Sequence, residues 1–114
     1  MPQEPMSLEV AREPDGRVVM RLTGPLTLNN LFGFQAEVRS DAAPFLVIDL
    51  SGVPYIDSAG IGALVAAHVS RQKEGRKLVL VAVADRVRTA LQVTQVEQFF
   101  TIVPTLDDAQ RAAS

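Results

Sequence analysis

The feature that most constrains the fold is the run at residues 45–50, in which every position except Asp49 is apolar. A half-exposed strand alternates apolar and polar residues, whereas a strand covered on both faces is apolar throughout. Residues 77–83 form a second run of this kind. Helical spacing separates and follows the two runs, so the chain is expected to form a mixed, mostly parallel α/β sheet.

The rest of the chain predicts an order of β-β-α-β-α-β-α-β-α with about five strands. Residues 7–12 and 18–23 flank a turn signal and predict an N-terminal hairpin. Helices are expected from about residue 28, over 58–74, over 85–94 and from 106 onward, with a last strand at 99–103. Residues 1–6 are expected to be a flexible tail, and 7–114 a single domain packing its helices on the sheet.

Side-chain positions within the helices follow from the same periodicity. Thr27, Asn29 or Asn30 can cap the first helix, Asp85 the third and Thr105 the last, which would reach Ala113. The first helix is expected to bury Leu28, Leu31, Phe34 (or Gln35) and Val38. The second is expected to bury Ile61, Leu64, Val65, His68 and Val69, and to place Arg71, Gln72, Lys73 and Glu74 at a solvated end closed by Gly75. Phe32 lies off the stripe and is either exposed or, as we favour, covered by a neighbouring loop.

Composition excludes several functional classes. Cysteine is absent, so disulfide and thiolate chemistry are excluded. The formal net charge is −2 and charges are interspersed, so no electrostatic case for nucleic acid exists. No apolar run approaches the ~20 residues of a membrane helix, and the N-terminus lacks signal-peptide features. A cytoplasmic protein without cofactor or metal is the expectation.

Ser58 is the candidate functional residue, because it lies where a buried strand gives way to a helix. Its hydroxyl is expected at or beside the helix N-cap, where several backbone N–H groups have no partner. These groups and the helix dipole favour negative charge. A phosphoryl group would add about −1.5 to −2 charges there, and neighbouring Asp57 would turn it outward. That charge could control whether another protein docks.

Small residues keep the start of this helix thin: Ala59, Gly60, Gly62 and Ala63. Each glycine costs roughly 1 kcal/mol relative to alanine in a helix interior, so a reason is needed. Either the helix packs closely on its own sheet, or a partner backbone approaches closely. Both explanations stay open at this point, with the first favoured.

The segment around Ser58 resembles the signature of the STAS family, and most of all that of the bacterial anti-sigma factor antagonists. The end of the second predicted strand, at residues 21–24, also matches that family. The matching residues are Asp49, Leu50, Ser51, Gly52, Val53, Tyr55, Ile56, Asp57, Ser58, Gly60, Ile61 and Gly62.

The resemblance implies a partner-switching protein with no catalysis of its own. The phosphoacceptor would be Ser58, phosphorylated by an anti-sigma factor with serine-kinase activity and reset by a phosphatase. The unmodified protein, a monomer or weak dimer, would bind the anti-sigma factor and so regulate sigma-dependent transcription. The contact residues expected from this resemblance are Asp57, Ser58, Ala59, Gly60 and Ile61, flanked by Leu26, Thr27, Asn29 and Asn30.

Two departures from the family pattern affect this expectation. Many antagonists carry acidic residues just after the second strand, where this chain has Pro25, Leu26 and Thr27. The partner's contact surface is therefore expected to differ. The position after Ser58, often a second hydroxyl residue, is Ala59, which leaves a single acceptor.

Three other functions are possible for a chain with these residues. A hydrolase would need a glycine at Ile56 and a base near Ser58, but His68 lies ten residues along the same helix, roughly 15 Å away. A nucleotide site would need a glycine-rich phosphate loop with lysine, which is absent. The stronger rival is a STAS accessory or scaffold subunit that works without phosphorylation, as a lipid-transport ATPase partner or a stressosome component.

Overall fold

The central strand of the protein is buried on both faces, as the apolar run at residues 45–50 predicts. The computed structural model describes residues 6–112; predictions for residues 1–5 of the expected tail and for Ala113 lie outside this range. Its elements, in chain order, are β1 (Ser7–Arg12), β2 (Arg17–Thr23), α1 (Phe32–Ser40), β3 (Phe45–Gly52), α2 (Ser58–Lys73), β4 (Lys77–Val81), α3 (Asp85–Val93), a 3₁₀ turn (Glu97–Phe99), β5 (Thr101–Val103) and α4 (Leu106–Ala112).

The five strands form one sheet in the order β1-β2-β3-β4-β5. β1 is antiparallel to β2, and every other pair is parallel. This confirms the predicted mixed, mostly parallel α/β sheet. Because the parallel strands β2, β3 and β4 all end at one edge, the loops after them are brought together there.

Two apolar clusters cover the two faces of the sheet. Met20, Ile48 and Leu80 pack with α1, α2 and α3 in the larger cluster. Val47 and Val79 pack on the other face with α4. Burial on both faces is the physical reason that β3 carries no alternation of polar and apolar residues.

Helix α1 begins at Phe32, about one turn later than predicted, and Leu31 is its N-cap without a side-chain hydrogen bond. Asn30 explains the delay. Its side-chain oxygen accepts the Thr27 N–H at 2.7 Å, and its amide donates to the Pro25 carbonyl. These bonds close residues 25–30 into a loop, so the predicted caps and the burial of Leu28 are wrong.

Arg71 is only 2% exposed, so its predicted position at a solvated helix end is wrong. It lies seven residues after buried Leu64, which is two helical turns along the same face. Its guanidinium donates to the backbone carbonyls of Asp41, Ala43 and Lys77. These bonds attach the end of α2 to the segment before β3 and to the first residue of β4.

Other differences are smaller. Val69 is exposed, while Val65 and His68 are only partly buried. Strand β4 ends at Val81, two residues earlier than predicted, because the next residue, Ala82, has a φ of 55° and leaves the extended conformation. The last strand begins at Thr101 because a 3₁₀ turn takes up Glu97–Phe99.

Two of the predicted helix ends are confirmed and one is wrong. Gly75 follows α2 with φ of 73°, as a terminating glycine does. The Thr105 hydroxyl accepts the Asp108 N–H at 3.1 Å and caps α4, as predicted. The N-cap of α3 is Ala84, so Asp85 is not the cap but lies in the first turn.

Candidate functional site

Ser58 is the first residue of α2 and is exposed. Asp57, immediately before it, is the N-cap of the helix, and its Oδ1 accepts the Gly60 N–H at 2.8 Å. Aspartate is among the best N-capping residues, because its carboxylate satisfies a helix donor that has no internal partner. The sequence thus fixes where the helix starts and leaves the next side chain, Ser58, at the surface.

Asp57 also joins the helix start to a second segment. Its Oδ2 accepts the Leu28 N–H at 3.0 Å, from the loop between β2 and α1. The same carboxylate therefore holds two backbone N–H groups that are 32 residues apart in sequence. The orientation of Ser58 depends on this double attachment.

Backbone hydrogen bonds align the loops that follow β2 and β3. The Leu26 N–H donates to the Tyr55 carbonyl at 3.2 Å, and the Asp57 N–H donates to the Leu26 carbonyl at 3.3 Å. Leu26 and Ile56 form a parallel bridge between these bonds. The two loops thus behave as a short extension of the sheet that carries Ser58 at its end.

Gly60 packs against this extension. A Cβ added to it would lie 2.2 Å from the Leu26 carbonyl oxygen and 2.7 Å from Ile56 Cγ1. Close packing on the chain's own backbone therefore explains this glycine. Gly62 is different, because a Cβ there would meet nothing within 4 Å. Gly62 is exposed one turn beyond Ser58.

The residues predicted to contact a partner separate into exposed and buried positions. Ser58 and Asn29 are exposed, and Asp57, Ala59 and Asn30 are partly buried. The remaining four are buried and support the loops beneath Ser58, and their contact with a partner stays a prediction: Leu26, Thr27, Gly60 and Ile61.

Three large side chains near the start of α2 are exposed. Leu28 is 58% exposed and follows the buried Thr27, while Phe32 is 64% exposed at the first residue of α1. The expectation that a loop covers Phe32 is therefore wrong. Tyr55, three residues before Ser58, is 37% exposed. Leu28 was missed as a surface residue because the loop that turns it outward depends on Asn30.

A cation lies beside Tyr55. The guanidinium carbon of Arg86, in the first turn of α3, is 5.4 Å from the centre of the Tyr55 ring. Local periodicity gave no signal for this contact, because it depends on how the loops after β3 and β4 meet.

Asp49, in the resemblance motif, pairs with Arg21 across β2 and β3 at 3.1 Å. Burial by itself would raise the pKa of Asp49, but hydrogen bonds from Ser51 together with the Arg21 charge hold that pKa below its usual value. Gly52 follows, and a Cβ there would lie 2.9 Å from the Leu22 carbonyl oxygen. These residues shape the end of β3 rather than its exposed surface.

Other chemistry finds little support in the geometry. His68 packs its ring edge-to-face on Phe100 at 5.5 Å, on the inner side of α2. Within residues 6–112, no three His, Asp or Glu side chains converge as metal ligands. Over the same residues, no helix combines the length and apolar character needed to cross a bilayer.

Comparisons with known proteins agree with this architecture. The family model described as STAS domain matches residues 9–109. An anti-sigma factor antagonist from Mycobacterium paratuberculosis superposes with a TM-score of 0.83 and 29% identity, covering 94% of this chain and 92% of its own.

Two further solved structures share the fold. The Bacillus cell fate determinant SpoIIAA in its phosphorylated form has a TM-score of 0.73 and 15% identity, covering 95% of this chain and all of its own. The murine anion transporter Slc26a9, of the solute carrier 26 family, has a TM-score of 0.76 and 24% identity. The match covers 97% of this chain but only 22% of the transporter.

Proposed function

Because the chain belongs to the STAS domain family, we propose that it is an anti-sigma factor antagonist whose binding is switched by phosphorylation of Ser58. It binds a serine-kinase type of anti-sigma factor while Ser58 is unmodified and releases it once Ser58 carries a phosphoryl group. A phosphatase restores the binding form. The protein itself performs no catalysis in this cycle.

The observation that carries the proposal is an exposed Ser58 hydroxyl on a helix start whose cap is already complete. In the transfer step, the Ser58 oxygen bonds to the γ-phosphorus of ATP and the bond from that phosphorus to the β–γ bridging oxygen breaks. ADP leaves, and the hydroxyl proton passes to a base of the kinase. Asp57 has both oxygens in backbone hydrogen bonds, so we assign it a structural role.

The phosphoryl group alters the surface without disturbing the fold. The start of the 16-residue helix α2 tolerates negative charge because of its dipole, and the group points outward, away from Asp57. Exposed Leu28, Phe32 and Tyr55 give the neighbouring surface an apolar character. Burying a dianion beside apolar groups is costly, so phosphorylation opposes docking there.

The test compares binding of the serine-kinase type anti-sigma factors of the same genome to variants of this protein, by calorimetry. Wild type and Ser58→Ala are expected to bind alike, and Ser58→Asp at least about tenfold more weakly, which corresponds to 1.4 kcal/mol. Ser70→Asp is the matched control, since it adds the same charge to an exposed position of α2 about 18 Å away, beyond the Debye length.

Equal affinity of wild type and Ser58→Asp for a partner that does bind contradicts the switch. A second measurement, mass spectrometry of protein purified from its native cells, asks whether phosphate is found on Ser58. A complete absence of phosphate under every growth condition in which the partner is present also counts against the proposal.

A second function is favoured by one observation, the exposure of Leu28 and Phe32. They follow residues 25–27, where many antagonists carry acidic side chains and this chain has none. This second function is that of a STAS accessory or scaffold subunit that binds its partner independently of phosphorylation. In that case Ser58→Asp leaves binding unchanged, whereas Leu28→Ser with Phe32→Ser abolishes it. The antagonist proposal expects both changes to weaken binding.

A further inference from the structure

Arg86 is a cation beside Tyr55, in the loop that leads to Ser58, and it has no acidic partner among residues 6–112. Its guanidinium lies 5.4 Å from the Tyr55 ring centre. Two residues further along α3, Arg88 pairs with Glu97 at 2.8 Å. Within residues 6–112, no carboxylate lies within 4 Å of the Arg86 guanidinium. Arg86 is therefore free to take an anionic partner that arrives later.

Tyr55 is a weak partner for a guanidinium. A cation–π contact at an exposed site is worth about 0.5–1 kcal/mol. A phosphoryl group offers several strong acceptor oxygens, and arginine binds such oxygens through two parallel hydrogen bonds. In a competition between the ring and a phosphoryl group within reach, the phosphoryl group wins.

The chain connection keeps Ser58 close to Tyr55, and so to the guanidinium beside that ring. Tyr55 and Ser58 are three residues apart, so their Cα atoms are separated by at most about 11 Å. Asp57 precedes Ser58 and Asp85 precedes Arg86 in sequence, and both carboxylates repel a phosphoryl group. The start of α2 and the guanidinium of Arg86 attract it.

We propose that Arg86 binds the phosphoryl group on Ser58 and leaves the Tyr55 ring when it does so. This inference rests on the proposed function, since it requires Ser58 to be a phosphoacceptor. Phosphorylation then changes the surface twice: it adds charge at Ser58, and it uncovers the aromatic ring beside it. The unmodified form presents Tyr55 with a cation over its ring, and the modified form exposes more of that ring.

The test uses the full chain with phosphoserine encoded at position 58, so that neither kinase nor partner is needed. Phosphorus NMR follows the titration of the phosphoryl group, whose second pKa is ordinarily about 6. A neighbouring guanidinium favours the dianion, so Arg86→Gln is expected to raise this pKa by about half a unit. Arg88→Gln, on the same helix, is the matched control and leaves it unchanged.

Tyrosine fluorescence provides a second readout. Tyr55 is the only tyrosine and the chain has no tryptophan, so the emission comes from one ring. Phosphoserine at position 58 is expected to increase quenching of Tyr55 by acrylamide. Arg86→Gln is expected to show the higher quenching already with unmodified Ser58 and no further change with phosphoserine.

Two results would overturn the role of Arg86. One is an equal phosphoryl pKa in wild type and Arg86→Gln. The other is acrylamide quenching of Tyr55 that is the same with serine and with phosphoserine at position 58 of the otherwise wild-type sequence. The wild-type quenching comparison needs no variant, so it decides even if Arg86→Gln folds poorly. Failure here leaves the proposed function standing if Ser58→Asp still weakens partner binding. Failure of that binding experiment, in turn, does not alter these two measurements.

Discussion

The paired glycines of α2 allow one prediction to be worked out in detail. Gly60→Ala and Gly62→Ala make the same chemical change two residues apart on one helix. A Cβ at Gly60 meets the Leu26 carbonyl oxygen at 2.2 Å, and one at Gly62 meets nothing within 4 Å. The two substitutions are therefore expected to change the free energy of unfolding in opposite directions.

For Gly62→Ala, only the helix propensity and the unfolded-chain entropy change, so a stabilisation of up to about 1 kcal/mol is expected. Gly60→Ala has the same gain but forces the backbone of Leu26 away. Overpacking costs about 1–3 kcal/mol. The Leu26 backbone also makes hydrogen bonds to Tyr55 and Asp57, each worth about 0.5–1.5 kcal/mol. The net destabilisation expected is about 2 kcal/mol or more.

The assay is urea and thermal unfolding followed by far-ultraviolet circular dichroism. In a domain near 100 residues, 1 kcal/mol shifts Tm by about 4 °C or more. Gly60→Ala should therefore melt about 8 °C below wild type, and Gly62→Ala above it by up to about 4 °C. A neutral Gly60→Ala, or two shifts of the same sign, would falsify the explanation of Gly60 by close packing.

Two further predictions concern buried charges. The pKa of Asp49 is lower in the folded protein than its unfolded value of 3.8, so the unfolded state binds more protons in acid. The contribution of Asp49 to the free energy of unfolding is therefore fully present above pH 3.8. It is lost as the pH falls through the folded pKa. Urea unfolding at pH 7 and pH 3.5 should show this loss, and Asp49→Asn should flatten the slope while lowering stability at pH 7. Arg71→Met removes the donor of one buried and two partly buried hydrogen bonds to backbone carbonyls. It should cost about 2–4 kcal/mol, since an unpaired buried group costs about 1–3 kcal/mol and a partly buried one costs less. Lys73→Met, exposed on the same helix, should stay within about 0.5 kcal/mol of wild type, and similar losses for both variants would contradict this assignment.

Sequence patterns predicted the strands and the position of Ser58 because both depend on local signals. The apolar run at 45–50 indicates a strand that is buried on both faces, and aspartate, here Asp57, is a strong N-capping residue. Element order then followed, since alternating strands and helices leave few topologies. The domain type and its helix start were thus accessible from the residues alone.

The contact surface was harder to predict because it depends on interactions between distant segments. Periodicity assigned Leu28 to a buried stripe, but the Asn30 hydrogen bonds delay the helix and leave Leu28 outside. Arg71 has a charged side chain that normally stays in water, yet three carbonyls from other segments accept its hydrogen bonds. The contact between Arg86 and Tyr55 joins the first turn of α3 to the loop after β3, which only the folded sheet brings together.

The double attachment of Asp57 has a consequence for amide hydrogen exchange. The N–H groups of Leu28 and Gly60 donate to the two oxygens of one carboxylate. A local opening that breaks one of these hydrogen bonds therefore weakens the other. Their protection factors should rise and fall together. A protein that settles on the helix start would thereby slow deuterium uptake at Leu28, in a different loop from the hydroxyl that it covers.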